Sequence, residues 1–451
     1  MTLQENQYFE ALSRDRSESA KTLEKPSMRG IKNSVVEKYS DQAHFIYELL
    51  QNADDAGATS ARFILCADQL VFAHNGTKRF TVSNPDTEDE DSRAGKLGDI
   101  NAITSIANSN KTEASIGKFC VGFKAVFQYT STPHIYDPDA RFRIDRFIVP
   151  SMLKEDYVGR QYDETVFVFP FDHLERSASE AFDDISDKLS KLIFPTLFLS
   201  NLEDIVYEFN NAIGIYKKNI KEKIQFGDTT AEYIRLEQKK EDALHYDNLW
   251  LFSRKDDCDR RYSVGFFLND EGLPYPTMNA AFCFFPTKEG TGLNFLIHAP
   301  FLLTDSREGI RAGITHNMQM ISLLATLAAD SFEYLKEIGI QKNTRLINDD
   351  VLDLIPFDQS KFSDISDKQK ISFKPFYSSI KDKFMSTDLL PASNSYVGTE
   401  HAYWAFVPTL TKLLSDEQLS DLTGNKNSCW VFTSIGRQDT LRKNKALDWL
   451  H

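Results

Sequence analysis

Two short segments constrain the fold of this chain more than any other part of its sequence. Residues 48–58 read Glu-Leu-Leu-Gln-Asn-Ala-Asp-Asp-Ala-Gly-Ala and place Glu48 and Asn52 one turn apart on the same face of a predicted helix. Residues 116–124 read Ile-Gly-Lys-Phe-Cys-Val-Gly-Phe-Lys and predict a glycine loop that runs into a helix. An acid and an amide that face such a loop indicate a site for a nucleoside triphosphate and Mg2+.

The composition sets limits on the class of protein. A chain of 451 residues predicts roughly two or three domains. Its formal charge of -14 argues against a protein built mainly to coat nucleic acid, but the charge is compatible with a local basic groove. The sequence contains no long apolar run that predicts a membrane span, and its start does not resemble a secretion signal. The 5 cysteines are scattered and form no CxxC pair, so we expect a cytoplasmic protein without disulfides or a zinc knuckle.

Hydrophobic periodicity divides the chain into four regions. Residues 1–30 predict an N-terminal segment, and residues 31–195 predict helices packed on one face of a mixed sheet, which is an α/β sandwich. Residues 196–340 are rich in predicted strands, so the whole chain reads as α+β. Residues 341–451 mix helices, strands and loops and end without a clear stop signal, which leaves open a continuation into a longer protein.

The predicted helix carries three polar candidates on one face. Glu48 is placed to act as a general base, and Asn52 can offer its amide oxygen to Mg2+, a cation that prefers oxygen ligands. Asp55, one turn further, can hold water or a neighbouring cation. The alternative is that all three form the solvated face of an amphipathic helix, since Glu-x-x-x-Asn alone should occur about once by chance in a chain of this length.

The glycine loop favours the functional interpretation. Gly117 and Gly122 allow a close approach of the backbone to phosphates, and the following helix points amide N–H groups at an anion. Phe119 and Phe123 can anchor the loop in the core, and the polar residues 108–112 can close over the phosphates as a lid. The alternative is an ordinary loop-to-helix turn.

Taken in order, these motifs resemble the GHKL (Bergerat-fold) ATPases, which include the gyrase B subunit, MutL, the large heat-shock chaperones and the sensor histidine kinases. The chain is most similar to the sacsin-type, Hsp90-like branch. The specific motifs span about residues 30–170, and a looser likeness extends to about residue 335. The resemblance implies a Bergerat-fold α/β sandwich with a transducer-like middle domain after it.

The resemblance also implies residue roles. Glu48 would polarise the attacking water, Asn52 would bind Mg2+, and Thr165 would lie beneath the adenine of ATP. The remaining nucleotide-binding positions would be Asp55, Ala56, His74, Asn75, Gly76, Ser109, Lys111, Gly117, Lys118, Phe119, Cys120, Val121, Gly122 and Phe123. Lys288 or Arg307 would reach the γ-phosphate. The alternatives are that Lys288 is a solvated turn residue and that Arg307 forms an ion pair with Asp305 or Glu308.

Two positions depart from the family pattern. Relatives usually carry Asp where this chain has His74, and the adenine amino group needs an acceptor, which a neutral His or Asn75 offers and a protonated His does not. We therefore expect ATP affinity to weaken between about pH 6 and 7 if the pKa of His74 is ordinary, whereas a His74 that faces solvent would have no effect. Cys120 replaces a common Gly and is strained if its φ is positive, the alternative being an inert buried thiol.

The resemblance predicts Mg2+-dependent binding and slow hydrolysis of ATP, coupled to lid closure and a change in the position of the middle domain. Its expected partners are ATP and ADP, a second copy through the N-terminal domain, and a protein client. An alternative function is a nucleotide-gated interaction switch with little hydrolysis. A DNA-transaction ATPase is a further alternative that the acidic charge disfavours.

Overall fold

A computed structural model describes most of the chain and divides it into two compact units. One unit comprises Met1–Asn219 and Leu236–Tyr246, and the other comprises Ile220–Arg235 and Asp247–His451. The described residues are 1–28, 30, 44–105, 123–210, 212–240, 243–277, 280–304, 308–348, 353–356, 358–364, 369–392, 395–405 and 409–431. The division into four regions expected from the sequence stays a prediction.

The first unit is built on a mixed sheet. Its strands are β1 (Ser60–Leu65), β2 (Gln69–His74), β3 (His134–Tyr136), β4 (Arg141–Asp145), β5 (Val149–Met152), β6 (Thr165–Pro170) and β7 (Asp204–Phe209). They lie in the order β7-β1-β2-β6-β3-β4-β5. Only the pairing of β1 with β7 is parallel among these neighbours, and the other pairs are antiparallel.

Five α-helices are described in this unit, and the first is the longest. They are α1 (Leu3–Leu23), α2 (His44–Asp55), α3 (Glu88–Arg93), α4 (Asp99–Ile103) and α5 (Ala178–Ser190), with 3-10 helices at Pro26–Met28, Pro85–Thr87 and Phe123–Gln128. Capping boxes begin α1 and α5, where Thr2 and Ser177 accept from the backbone three residues on. The sequence predicts that α2 begins near residue 34, and residues 31–43 lie outside the described residues.

Aromatic side chains cover one face of the sheet and receive these helices. Phe9 of α1 packs on Phe142 with ring centroids 6.1 Å apart, and Phe123 packs on Phe167 at the same distance. Phe182 of α5 meets Phe209 at 6.4 Å. The opposite face carries a smaller apolar cluster of Val71, Ala73, Val166 and Val168. Helices on one face of a mixed sheet confirm the predicted sandwich.

The second unit is also α/β. Its strands are β8 (Ala212–Phe226), β9 (Thr229–Lys240), β10 (Ala243–Lys255), β11 (Arg261–Leu268), β12 (Ala280–Cys283), β13 (Phe285–Gly290) and β14 (Leu296–His298), the first three of which also contribute residues to the first unit. The strand β11 packs against α6 (Thr315–Gln341), where Phe266 and Phe332 lie 5.5 Å apart.

The rest of the second unit surrounds α6. Its remaining elements are α7 (Lys374–Ser386), β15 (Leu390–Pro391), β16 (Tyr396–Val397), β17 (Ala402–Tyr403), α8 (Leu410–Leu413), α9 (Asp416–Thr423) and β18 (Cys429–Trp430), with 3-10 helices at Gln359–Lys361 and Thr399–His401. Phe384 of α7 packs on Phe332 of α6 with centroids 5.4 Å apart. In the described ranges, no helix combines the length and apolarity required to cross a membrane.

Candidate functional site

Helix α2 presents the predicted acid and amide beside a fully buried stripe. The stripe consists of Ile46, Leu49, Leu50 and Ala53, each at most 1% exposed. Beside it, Glu48 is half-buried, Asn52 is buried and Asp55 is exposed. The helix is amphipathic, but its polar side is not uniformly exposed: Glu48 is half-buried and Asn52 is buried, and only Asp55 lies in open solvent. An ordinary solvated helix face is exposed along its whole length.

The side-chain amide of Asn52 is available for a ligand. Asn52 is only 8% exposed, and no side chain or backbone group of the described residues hydrogen-bonds to its amide. Its oxygen therefore fits the role of a ligand to Mg2+. Within the described ranges, no group of three or more His, Cys, Asp or Glu could hold a metal ion.

The acid next to Asp55 has a structural role that the sequence did not reveal. The carboxylate of Asp54 accepts backbone N–H groups from Ser200 at 3.0 Å, Asn201 at 2.6 Å and Leu202 at 2.8 Å. Its backbone carbonyl accepts the Asn201 side chain at 3.0 Å. Asp54 therefore holds the end of α2 to the segment that leads into β7.

Asp55 has an unusual protonation equilibrium. Burial raises the pKa of its carboxyl to about 6, repulsion from Asp54 adds to this rise, and Lys78 opposes it. By surface area the residue is exposed, so the carboxyl is reachable by solvent while surrounded by enough protein to disfavour its charge.

The end of α2 contacts the segment that follows β2. The backbone oxygen of Ala56 accepts N–H groups from Thr77 at 2.9 Å and Lys78 at 3.2 Å. A Cβ on Gly76 would lie 2.8 Å from the Ala56 Cβ and 2.9 Å from its oxygen. Only glycine fits at this contact, and it brings the Asn52 end of the helix beside His74.

Three buried polar residues form a row across neighbouring strands. His74 of β2 is the direct cross-strand partner of Thr165 in β6, and the pairing of Tyr136 with Val166 places the next residue, Asp137, beside Thr165. The Thr165 hydroxyl donates to Asp137 Oδ2 at 2.9 Å. His74, Thr165 and Asp137 are 6%, 1% and 0% exposed. The sequence did not single out Asp137, whose one local signal is its place at the end of a short strand.

Burial determines the charge of this row. It lowers the pKa of His74 to about 4, with a smaller contribution from Arg79, and raises the pKa of Asp137 despite the hydrogen bonds that Asp137 accepts. His74 is therefore neutral at ordinary pH. The alternative that His74 faces solvent is therefore wrong. The assumption of an ordinary pKa for His74 is also wrong, and the loss of ATP affinity expected near pH 6 to 7 depended on it.

Asn75 is occupied by local structure. Its side-chain oxygen accepts the backbone N–H groups of Thr59 at 2.9 Å and Ser60 at 3.0 Å, and its amide nitrogen donates to the Thr59 hydroxyl at 2.9 Å. Both lone pairs of the oxygen are in use. This leaves His74 and Thr165 as the polar groups of the row that could face a base.

Most of the glycine loop lies outside the described residues. This applies to Ser109, Lys111, Gly117, Lys118, Phe119, Cys120, Val121 and Gly122, whose proposed roles stay predictions. Phe123, the first described residue after the loop, is buried and packs on Phe167 and Phe169 at 6.1 Å each. It anchors the end of the loop beside β6, the strand of Thr165. The neighbouring Lys124 is fully buried and donates to the backbone oxygen of Phe147 at 2.8 Å.

Lys288 and Arg307 are the two cationic residues that the resemblance places near the γ-phosphate. Lys288, in the second unit, is exposed and forms an ion pair with Glu308. Arg307 lies outside the described residues. A contact of either cation with a γ-phosphate stays a prediction.

A separate cavity of the first unit does not coincide with this site. Its volume is about 500 Å3, and it lies at the far end of β1 from Asn75. It is lined by Ile64, Leu65, Cys66, Ala67, Ser179, Phe182, Glu208, Phe209 and Asn210. Its ionisable side chains are a carboxylate and a thiol, which do not suit a triphosphate.

Comparisons with known proteins find a family model and curated relatives that match part of this chain. A family model described as Sacsin domain matches residues 24–145, which include α2, β2 and the glycine loop. The protein NO VEIN of Arabidopsis thaliana is 25% identical over 334 residues, covering 65% of this chain and 11% of that protein. Sacsin of Homo sapiens is 26% identical over 125 residues, covering 25% of this chain and 3% of that protein. The chain thus spans only a small part of these relatives.

Two solved structures are also similar to part of this chain. The topoisomerase IV ATP binding domain of Francisella tularensis gives a TM-score of 0.27 and 16% identity, covering 43% of this chain and 58% of that one. The B-subunit of DNA gyrase from Myxococcus xanthus gives 0.30 and 10%, covering 46% and 67%. Residues 24–145 of the first unit thus match the Sacsin domain family model, and the mixed sheet with helices on one face agrees with the predicted α/β sandwich.

Proposed function

We propose that the first unit binds ATP with Mg2+ between α2 and the segment after β2, and hydrolyses it slowly. The observation that carries this proposal is the contact of Ala56 with Gly76, since it brings the Asn52 end of α2 beside the buried row of His74 and Thr165. At one end of this site, Asn52 offers an oxygen ligand and Glu48 an acid. At the other end, His74 and Thr165 offer polar groups to the adenine base of the nucleotide.

The roles of the residues follow from their positions. Glu48 lies one turn before Asn52, at the distance where one group can bind the metal and the other can orient and deprotonate a water. Bound Mg2+ would supply positive charge to the phosphates. Asn52 offers that cation an amide oxygen that accepts no hydrogen bond from the described residues, and Asp55 can hold one of its water molecules. The glycine loop, residues 116–122, would wrap the phosphates from the position that Phe123 anchors.

The wider roles rest on the resemblance. Closure of residues 108–112 as a lid, a change in the second unit as a transducer-like domain, and pairing of two copies through the first unit would convert ATP binding into work on a protein client in the cytoplasm. Because the chain spans only a small part of its curated relatives, the client and the pathway belong to this proposal.

The experiment is a pair of measurements on the full chain. Equilibrium binding of ATP is measured with and without Mg2+, and phosphate release is measured under the same conditions. Glu48→Ala should keep binding and lower release by roughly 100-fold or more, as loss of a general base does. Glu10→Ala, an exposed acid on α1, is the matched control and should change neither.

Each outcome selects a function. Absence of ATP binding in the unmodified chain would overturn the proposal. Binding of ATP without phosphate release would favour the nucleotide-gated interaction switch. The replacement by His74 of the Asp that relatives usually carry also favours this alternative. Release that DNA stimulates would favour a DNA-transaction ATPase.

A further inference from the structure

The cavity of about 500 Å3 in the first unit lies where the parallel strands β1 and β7 both end. Ile64 of β1 is the cross-strand neighbour of Glu208 of β7, and each strand ends one residue later. Ser179 and Phe182, from the first two turns of α5, complete the lining. In open α/β sheets, the crevice outside the carboxyl ends of parallel strands is where ligands bind. The position of this cavity in the fold is therefore that of a ligand site.

Much of the lining is apolar or aromatic. Ile64, Leu65 and Ala67 come from β1 and the turn after it, and Phe182 and Phe209 add two rings. These rings lie with their centroids 6.4 Å apart and their planes at 85° to each other. Apolar walls favour burial of the hydrocarbon part of a ligand, and the face of an aromatic ring attracts a cation. The lining therefore suits a ligand with an apolar body.

The charge at the cavity is negative. Glu208 is exposed and lines the cavity, whereas no lining residue is Lys, Arg or His. Within the described residues, the carboxylate of Glu208 forms no ion pair and accepts no hydrogen bond. Burial raises the pKa of the Cys66 thiol, and repulsion of its thiolate by Asp68 and Glu208 raises it further. Two carboxylates thus act on one wall of the cavity, and this charge favours a cationic ligand over an anionic one.

The start of α5 does not reverse this preference. A helix N-terminus favours an anion, but the side chain of Glu180 already supplies one. Its carboxylate accepts the backbone N–H of Ser177 at 2.9 Å and the Ser177 hydroxyl at 2.7 Å. The Ser177 oxygen in turn accepts the backbone N–H of Glu180 at 3.3 Å. The negative charge that this helix start would attract is therefore part of the helix itself.

We propose that this cavity binds a small organic cation, with its ammonium group beside the Glu208 carboxylate and its apolar body against Phe182 and Phe209. The Ser179 hydroxyl and the Asn210 side-chain amide also line the cavity, and neither forms a hydrogen bond within the described residues. Both can accept from an ammonium group, which has three protons to donate. The volume of about 500 Å3 lies in the usual range of small-molecule sites, about 300 to 1,000 Å3. None of these residues belongs to the proposed nucleotide site, so the inference does not depend on ATP binding.

The test measures binding of 4-phenylbutylamine to the full chain by titration calorimetry. This probe joins an aromatic body to a primary amine, which is protonated at about pH 7. Three matched compounds each change one feature: 4-phenylbutan-1-ol removes the charge, 5-phenylpentanoate reverses it, and butylamine removes the ring. We expect the probe to bind roughly 10-fold more tightly than each of them, because the contact with a carboxylate and the burial of the ring both contribute. Absence of probe binding, or equal affinity for the probe and the alcohol, would overturn the proposal.

Cys66 reports where the probe binds. Its thiol lines the cavity and is half-buried, whereas Cys258 is exposed in the second unit and is an internal control. A saturating concentration of the probe should slow alkylation of Cys66 by iodoacetamide and leave the rate at Cys258 unchanged. Mass spectrometry of the peptides follows both rates in one sample. A bound probe that leaves the Cys66 rate unchanged lies elsewhere, and that result would overturn the proposal.

Two variants at exposed positions separate charge from shape. Glu208→Gln should lower the affinity for the probe roughly 10-fold, to that for the alcohol, while the alcohol still binds and shows that the cavity is intact. Glu203→Gln is the matched control, because Glu203 is an exposed acid just before the other end of β7 and should not affect binding.

Ser179→Trp fills the cavity from the surface of α5 and should abolish binding of both the probe and the alcohol without lowering the unfolding midpoint. The proposal is wrong if Glu208→Gln keeps the preference for the amine over the alcohol. It is also wrong if Ser179→Trp binds the probe with full affinity.

Discussion

Asp54 and Asp55 are adjacent in the chain and lie in opposite surroundings. The carboxylate of Asp54 is buried and accepts three backbone N–H groups from residues 200–202, whereas that of Asp55 reaches solvent. Successive residues of an α-helix point about 100° apart, so two neighbouring acids can serve a structural and a ligand-binding role. The pair therefore offers a matched comparison between stability and binding.

Asp54→Asn should destabilise the first unit. The variant loses the charge that its backbone donors stabilise, which costs about 1.5 to 3 kcal/mol for a hydrogen bond to an ionised group. Urea unfolding of the full chain, followed by a signal from the first unit, measures the change. Asp55→Asn is the control, and its unfolding midpoint should stay the same or rise, since burial already disfavours the charge of Asp55. A larger loss in Asp55→Asn than in Asp54→Asn would contradict these roles.

Asn52→Ala should remove the dependence of ATP binding on Mg2+. In the unmodified chain we expect chelation of Mg2+ to weaken ATP binding, because the amide oxygen of Asn52 and the phosphates share the cation. In the variant, affinity in Mg2+ should fall by roughly 10-fold or more, to the value found with a chelator. Titration calorimetry in both buffers makes the comparison. Asn6→Ala, at an exposed position of α1, should keep the full effect of Mg2+. An Asn52→Ala protein that also keeps it would exclude Asn52 as the ligand.

Gly76→Ala should harm both stability and binding. The added Cβ would lie 2.8 Å from the Ala56 Cβ, closer than two carbons can approach, so α2 or the segment after β2 must move. Such overpacking costs about 1 to 3 kcal/mol, and we expect weaker ATP binding because the two sides of the site separate. Gly290→Ala is the control, since nothing lies within 4 Å of its added Cβ. The prediction is wrong if the two variants have the same unfolding midpoint and affinity.

His74 should make the stability of the fold depend on pH below neutrality. Its folded pKa is about 4, below the ordinary value of 6.5, so between these values the unfolded chain binds a proton that the folded chain does not. This contribution to stability is complete above about pH 6.5 and is lost as the pH falls toward 4, by up to about 3 kcal/mol.

The measurement is unfolding of the unmodified chain and of His74→Gln at several pH values from 7 to about 4.5. Asp55 acts in the opposite direction, because its raised pKa lets the folded chain take up a proton first, so the difference between the two proteins isolates His74. The variant should be less sensitive to acid. Parallel profiles would show that the His74 ring is not neutral and buried in solution.

Local patterns predicted the elements that carry the site. The motif of residues 48–58 identified α2 as a helix, and the apolar residues Ile46, Leu49 and Ala53 form its buried side in the structure. The four-residue spacing of Glu48 and Asn52 is enough to place them on one face of that helix. These inferences depend on the rotation per residue of a helix or strand, which the sequence contains in full.

The sequence by itself determined the helix, its acid and its amide, because these follow from periodicity within a single element. The tertiary structure decided the rest of the site: that Asp137 bonds to Thr165 from 28 residues away, that Asp54 anchors a segment 146 residues later, and that the ring of His74 is buried and neutral. Those facts depend on strand order and register, which arise from long-range pairing and burial and leave no periodic trace in the chain.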